Sequence, residues 1–150
     1  MRAIIQRVSK ARVEINNDQT RAIDKGFMIL LGIEEADADE DIKWLAAKIA
    51  TLRIFSDEEG KMNLAIDDIK GDILLVSQFT LYASTKKGNR PSFTKSARPE
   101  TAIPLYKRFI TTMQISFKGK LVTGEFGADM QVSLTNDGPV TIIIDSKNRE

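Results

Sequence analysis

The chain has 150 residues, 42% of them hydrophobic and 29% charged, with a formal net charge of +1. It contains neither histidine nor cysteine. Any catalysis therefore runs without a Ser-His-Asp or Cys-His system, a thiolate zinc site, a redox pair or a disulfide. Hydroxyls, amides, carboxylates, lysine, backbone dipoles and the substrate itself remain as sources of chemistry.

The length fits one domain spanning 1–150 with room for a buried core. No apolar run approaches the roughly 20 residues of a membrane span, and the start Met1-Arg2-Ala3-Ile4-Ile5 lacks the long apolar region of a signal peptide. A cytoplasmic protein is expected. Charge is unevenly distributed. Six acids fall between Glu34 and Asp41, whereas Ala83–Arg98 has no acid and carries Lys86, Lys87, Arg90, Lys95 and Arg98. Such a loop is either a solvated surface or a contact for an anionic partner.

In chain order, Ala3–Val8 reads as a strand. Val13-Glu14-Ile15 alternates and meets a turn at Asn16-Asn17-Asp18. Gly26–Ile33, with Phe27-Met28-Ile29-Leu30-Leu31, predicts a strand buried on both faces. A helix follows, with Asp37 as its cap and Glu40 three residues later. Its stripe comprises Ile42, Leu45, Ala46, Ile49 and Arg53, with Trp44 off it. Ser56–Lys61 reads as a loop. Ile73–Val76 is a second buried strand, leading directly into Ser77-Gln78-Phe79-Thr80.

Ala83–Arg98 reads as irregular. A second helix starts at Pro99 or Ile103 and runs to Met113; Pro104, best tolerated in a first turn, favours the later start. Lys120–Phe126 and Met130–Thr135 read as strands, the latter half-buried by its alternation. Asn136-Asp137-Gly138-Pro139 interrupts before a final run at Val140–Ile144. Strands outnumber helices and do not alternate regularly with them. The fold class is therefore α+β: a curved, barrel-like sheet with packed helices.

Three segments differ from plain scaffold. Ser77-Gln78-Phe79-Thr80 gathers two hydroxyls and an amide at a strand end. There Thr80 is a nucleophile or a water-positioning group, although no base for it is evident. Asn136-Asp137-Gly138-Pro139 is a tight turn, or a rigid backbone presentation in which a cis Gly-Pro bond exposes main chain at Gly138. Lys86-Lys87-Gly88-Asn89-Arg90-Pro91-Ser92-Phe93 suits phosphate contact beside an aromatic, or is a basic surface loop.

Together with Gln6-Arg7-Val8, Leu52-Arg53-Ile54-Phe55, Gly60-Lys61-Met62-Asn63 and Phe126-Gly127-Ala128-Asp129-Met130, these segments carry a resemblance. End to end, the chain resembles the D-aminoacyl-tRNA deacylases, also called D-tyrosyl-tRNA deacylases. The most specific match is the pairing of Ser77-Gln78-Phe79-Thr80 with Asn136-Asp137-Gly138-Pro139-Val140-Thr141.

The resemblance implies a homodimer with sites at its interface. The implied reaction is hydrolysis of the ester joining a D-amino acid, or mischarged glycine, to the 3′-terminal adenosine of tRNA. It implies that Gly138-Pro139 is a cis pair inserted into the partner's pocket to exclude L-amino acids, with Arg7 holding it. Ser77, Gln78, Phe79 and Thr80 are implied to line the scissile ester, and Phe126 and Met130 the terminal adenosine. Lys86, Lys87 and Arg90 are the expected tRNA contacts. No cofactor, metal or membrane partner is expected. An RNA-assisted reaction through the substrate 2′-hydroxyl is favoured over a Thr80 nucleophile. A non-catalytic tRNA- or RNA-binding module is the alternative.

Overall fold

The first two apolar stretches are not separate strands. In the computed structural model, which describes residues 1–150, they join into one long strand, β1 (Arg2–Ile15). The strand keeps its hydrophobic side chains inside by slipping register. Opposite β8 (Met130–Asp145), Val8 pairs Asn136 and Lys10 pairs Thr135, so β1 carries one extra residue there. A one-residue bulge reverses which face the odd positions occupy. Before it, Ala3 and Ile5 face the helices; after it, Ala11, Val13 and Ile15 face the inside of the curved sheet.

β8 follows one edge of β1 along its length. The other edge of β1 is shared. Arg2–Val8 pairs antiparallel with β3 (Gly26–Gly32), and Ala11–Ile15 with β2 (Gln19–Ile23). β3 then pairs parallel with β6 (Asp72–Ser77), and β6 parallel with β7 (Leu121–Thr123). The Arg21 guanidinium donates to the Thr123 carbonyl at 2.7 Å, drawing β2 towards β7 and nearly closing the barrel-like sheet. The expected α+β architecture is present.

Two apolar layers result. Twenty-three buried residues fill the space between the sheet and the helices, and eight lie within the curve of the sheet. β3 contributes to both layers, with Phe27, Ile29 and Leu31 on one side and Met28 on the other. A strand covered on both faces is what its unbroken apolar run requires.

Helix α1 (Asp39–Ala50) buries Ile42, Leu45, Ala46 and Ile49 as its stripe predicts, but stops before Arg53. Its cap differs from expectation. Ala38 is the N-cap, and the Asp41 carboxylate reaches back to the Ala38 amide at 2.9 Å. Asp37 is instead buried, accepting from the Met1 ammonium and from the Glu34 amide. A buried carboxylate needs a cation more than a helix end needs that side chain.

Helix α2 (Pro99–Ser116) starts at Pro99 and contains Pro104 beyond its first turn. The proline forfeits the bond its amide would give the Glu100 carbonyl, and its neighbours Ala102, Leu105 and Tyr106 are buried nonetheless. Glu35 fixes the earlier start, accepting from the Arg98 amide at 3.1 Å and the Thr101 hydroxyl at 2.8 Å. The 56–61 loop is the tip of a small hairpin, β4 (Phe55–Ser56) with β5 (Met62–Leu64). The Lys120–Phe126 strand shortens to β7.

The largest departure is β8. Asn136–Pro139 does not end a strand; β8 runs through it. Gln6 pairs Thr141 and Val8 pairs Asn136, so Asp137–Val140 bulges outward opposite Arg7 alone.

Candidate active site

β6 ends at Ser77, and the chain turns at once into a 3₁₀ turn, Phe79–Tyr82. The Gln78 amide donates to the Leu31 carbonyl at 2.8 Å, tying this corner to the end of β3. The amides of Phe79 and Thr80 make no hydrogen bond within the chain. The Gln78 side-chain amide donates to the Thr80 hydroxyl oxygen. That contact leaves the Thr80 proton free to donate and gives the hydroxyl no base.

This corner forms one wall of a cleft of about 360 Å³. Ser77, Gln78 and Phe79 line it. Phe126 and Met130 line the facing side, with Gly127, Ala128 and Asp129 between them, and Ala97 and Ala102 add small apolar surface. Residues almost fifty positions apart in sequence thus share one cavity, because β7 pairs parallel with β6 and carries the chain on to Phe126 beside the end of β6. Phe126 packs on Tyr106 with ring centroids 5.8 Å apart, and burial raises the Tyr106 hydroxyl well above its usual pKa. Phe79 is 56% exposed and meets Phe93 edge-on at 5.2 Å, linking the cleft to the basic loop. Lys86, Lys87 and Arg90 are all exposed on that loop, which the Ser84–Ser92 bridge closes.

Gly138, Pro139 and Arg7 do not line the cleft. They form a separate feature on β8. The Gly138–Pro139 peptide is cis and both residues are exposed. Arg7, buried against them, donates from Nε to the Asp137 carbonyl and from Nη1 to the Ile54 carbonyl, each at 2.7 Å. Asn136 closes the base of the bulge: its side chain accepts from the Val140 amide at 2.7 Å and donates to the Thr141 hydroxyl at 3.0 Å. At Gly138 (φ +146°), a Cβ would lie 2.8 Å from Val140 Cγ2 and 3.0 Å from Arg7 Nη2. Only glycine fits that backbone and that space.

The sequence reading did not single out Asp129, Asn136 or Ile54. All three lie inside the motifs that carry the resemblance, and Ile54 acts through its carbonyl, which leaves no signal in residue type.

The family model described as D-Tyr-tRNA(Tyr) deacylase matches residues 4–145. A D-aminoacyl-tRNA deacylase of Cytophaga hutchinsonii and one of Bacteroides fragilis are each 59% identical over 150 residues, covering the whole of both chains. Among solved structures, one titled c-Myc DNA unwinding element binding protein superposes with a TM-score of 0.91 at 39% identity, covering 97% of this chain and 98% of that one. A probable eukaryotic D-amino acid tRNA deacylase superposes with a TM-score of 0.81 over 95% of this chain and 97% of the other. At 19% identity, that second likeness speaks for the fold alone.

Proposed function

The chain belongs to the D-Tyr-tRNA(Tyr) deacylase family, and from that membership we propose how it works as a D-aminoacyl-tRNA deacylase, a hydrolase acting on aminoacyl-tRNA. It cleaves the ester between a D-amino acid and the 3′-terminal adenosine, releasing tRNA and free amino acid. The observation that carries this reading is the single cleft shared by Ser77, Gln78 and Phe79 on one side and Phe126 and Met130 on the other.

The terminal nucleoside packs against Phe126 and Met130, which brings the ester to the Gln78–Thr80 corner. There the unpaired amides of Phe79 and Thr80 receive the developing oxyanion. One well-placed donor of this kind contributes about 2.7–4 kcal/mol to a transition state in other enzymes. Thr80 donates rather than attacks, and the substrate 2′-hydroxyl helps water act, so neither histidine nor cysteine is required.

Chirality is decided by Gly138–Pro139 of a second copy. The bulge projects from β8 and is absent from its own chain's cleft, which supports a homodimer in which each subunit completes the other's site. Main chain held rigidly at the substrate Cα clashes with the side chain of an L-amino acid and admits that of a D-amino acid. Glycine has no side chain to exclude and is hydrolysed as well. Lys86, Lys87 and Arg90 contact tRNA phosphates without reading sequence. The two apolar layers share β1 and β3, which supports treating 1–150 as one domain. No helix is long and apolar enough to cross a membrane; the cytoplasm, where charged tRNA is used, is the proposed location.

The test is release of D-tyrosine from D-tyrosyl-tRNA, measured alongside tRNA binding. Turnover is expected. Binding without release would replace this reading with that of a non-catalytic RNA-binding module.

A further inference from the structure

Asp129 is the one ionisable side chain among the fifteen residues lining the cleft. Its main chain is pinned from a distant turn. The Asp129 amide donates to Asn16 Oδ1 at 3.2 Å, and its carbonyl accepts from the Asn16 amide at 2.8 Å. Asn16, at φ +50°, turns β1 into β2. These bonds fix where Asp129 sits, yet they use none of its side chain. Asp129 is exposed, and its carboxylate meets no cation and no donor of the protein, whereas the buried Asp37 and Asp41 are paired.

An unpaired carboxylate is an odd component for a cleft that takes the end of a polyanion. It repels phosphate, so it lowers affinity unless the ligand brings it a hydrogen-bond donor. The aminoacyl-adenosine end common to every substrate offers three. The α-ammonium and the 2′-hydroxyl both lie within a few bonds of the scissile ester, and so belong at the Gln78–Thr80 corner. The third donor is the exocyclic amine of the terminal base. Asp129 lies on the Phe126–Met130 side, where the neighbouring side chains of Phe126, Ala128, Met130 and Val132 are apolar and suit the faces of a purine.

We propose that the Asp129 carboxylate accepts a hydrogen bond from the exocyclic amine of the terminal adenine and thereby selects the 3′-terminal base. The inference rests on the deacylase reading given above. An ionised carboxylate only accepts. A base carrying a keto oxygen at that position sets acceptor against acceptor and is rejected, whereas one carrying an amine is held. The acid thus gives up some attraction for the RNA backbone in exchange for fidelity to the tRNA end.

The experiment uses the full chain and three D-tyrosylated tRNAs. They end in adenosine, in purine riboside, which lacks the amine, and in inosine, which carries a keto oxygen. The kcat/KM of each is measured for the native protein, Asp129→Ala and Asp129→Asn. The native protein should prefer adenosine to inosine by about tenfold or more, with purine riboside between. Asp129→Ala should bring the three to within about threefold of one another, chiefly by losing activity on adenosine. Asp129→Asn, whose amide both accepts and donates, should keep adenosine and gain on inosine.

Equal losses on all three substrates would assign Asp129 a structural role and overturn the proposal. So would an adenosine-to-inosine ratio in Asp129→Ala matching that of the native protein, or no preference in the native protein. Unfolding midpoints of both variants separate a folding defect from a binding one. If the native protein releases no D-tyrosine even from the adenosine-ending tRNA, the deacylase reading fails instead.

Discussion

Arg7 Nε donates to the Asp137 carbonyl at 2.7 Å, from the one β1 position that faces the four-residue bulge of β8. Its Nη1 holds the Ile54 carbonyl at the same distance, just before β4. The guanidinium therefore ties the bulge to the β4–β5 hairpin, using two donors whose directions are fixed by one planar group. A lysine has no such fork.

Arg7→Ala leaves two main-chain carbonyls without their donor. A hydrogen bond to a charged group is worth about 1.5–3 kcal/mol, so a loss of about 3 kcal/mol in unfolding free energy is expected. The preference for D- over L-aminoacyl-tRNA should narrow in the same variant, because the bulge is no longer held. Arg7→Lys should recover part of the stability and little of the preference. Urea unfolding, together with deacylation of both enantiomers, checks this.

Thr80 is oriented by Gln78 and has no base, so Thr80→Ala should cost no more than about tenfold in turnover, short of the 10²–10⁴ of a positioned acid–base group. Single-turnover hydrolysis of D-tyrosyl-tRNA measures it. An acyl-Thr80 adduct trapped in the native protein, with loss of all turnover in the variant, would establish a nucleophile instead.

The acid limb of stability should follow Asp41. Burial alone would raise its carboxyl, but hydrogen bonds from Ser146, the Ala38 amide and Lys147, with the Met1 ammonium nearby, outweigh it and hold the pKa at about 2 against an ordinary 3.8. A folded-state pKa below the unfolded one stabilises fully above the unfolded value, and that stabilisation is lost as pH falls through the folded one. The window is thus pH 4 down to about 2, and the size is about 2 kcal/mol at ~1.4 kcal/mol per unit. Asp41→Asn should lower stability at neutral pH by a similar amount and flatten the decline between pH 4 and 2, as followed by denaturant unfolding.

The basic loop should reveal itself through salt. Each phosphate contact contributes about 0.7–0.9 to the slope of log affinity against log salt. Replacing Lys86, Lys87 and Arg90 with alanine should reduce that slope by about 2 for tRNA binding, while leaving the D/L preference intact. An unchanged slope would make the loop a solvated surface.

Sequence alone made some elements plain and hid others for physical reasons. β3 and β6 were legible because a strand covered on both faces must be apolar throughout. β8 was not, because Asn136-Asp137-Gly138-Pro139 has the composition of a turn, and only the partner strand reveals that pairing resumes beyond it. Asp37 has the residue type and spacing of a cap, yet a buried ammonium thirty-six positions away claims it. In the site, Ser77–Phe79 and Phe126–Met130 are brought together by the parallel pairing of β6 with β7, a long-range contact that no local pattern encodes; the family resemblance linked them. Asp129 was overlooked because a single acid in a loop carries no signal until its neighbours are known.

The claim that an exposed Gly138–Pro139 backbone decides chirality is tested most directly by deacylation of D-tyrosyl-tRNA and L-tyrosyl-tRNA measured side by side. Rapid release from the D substrate, with the L substrate left essentially intact, is the predicted result. Equal rates for the two enantiomers would contradict it.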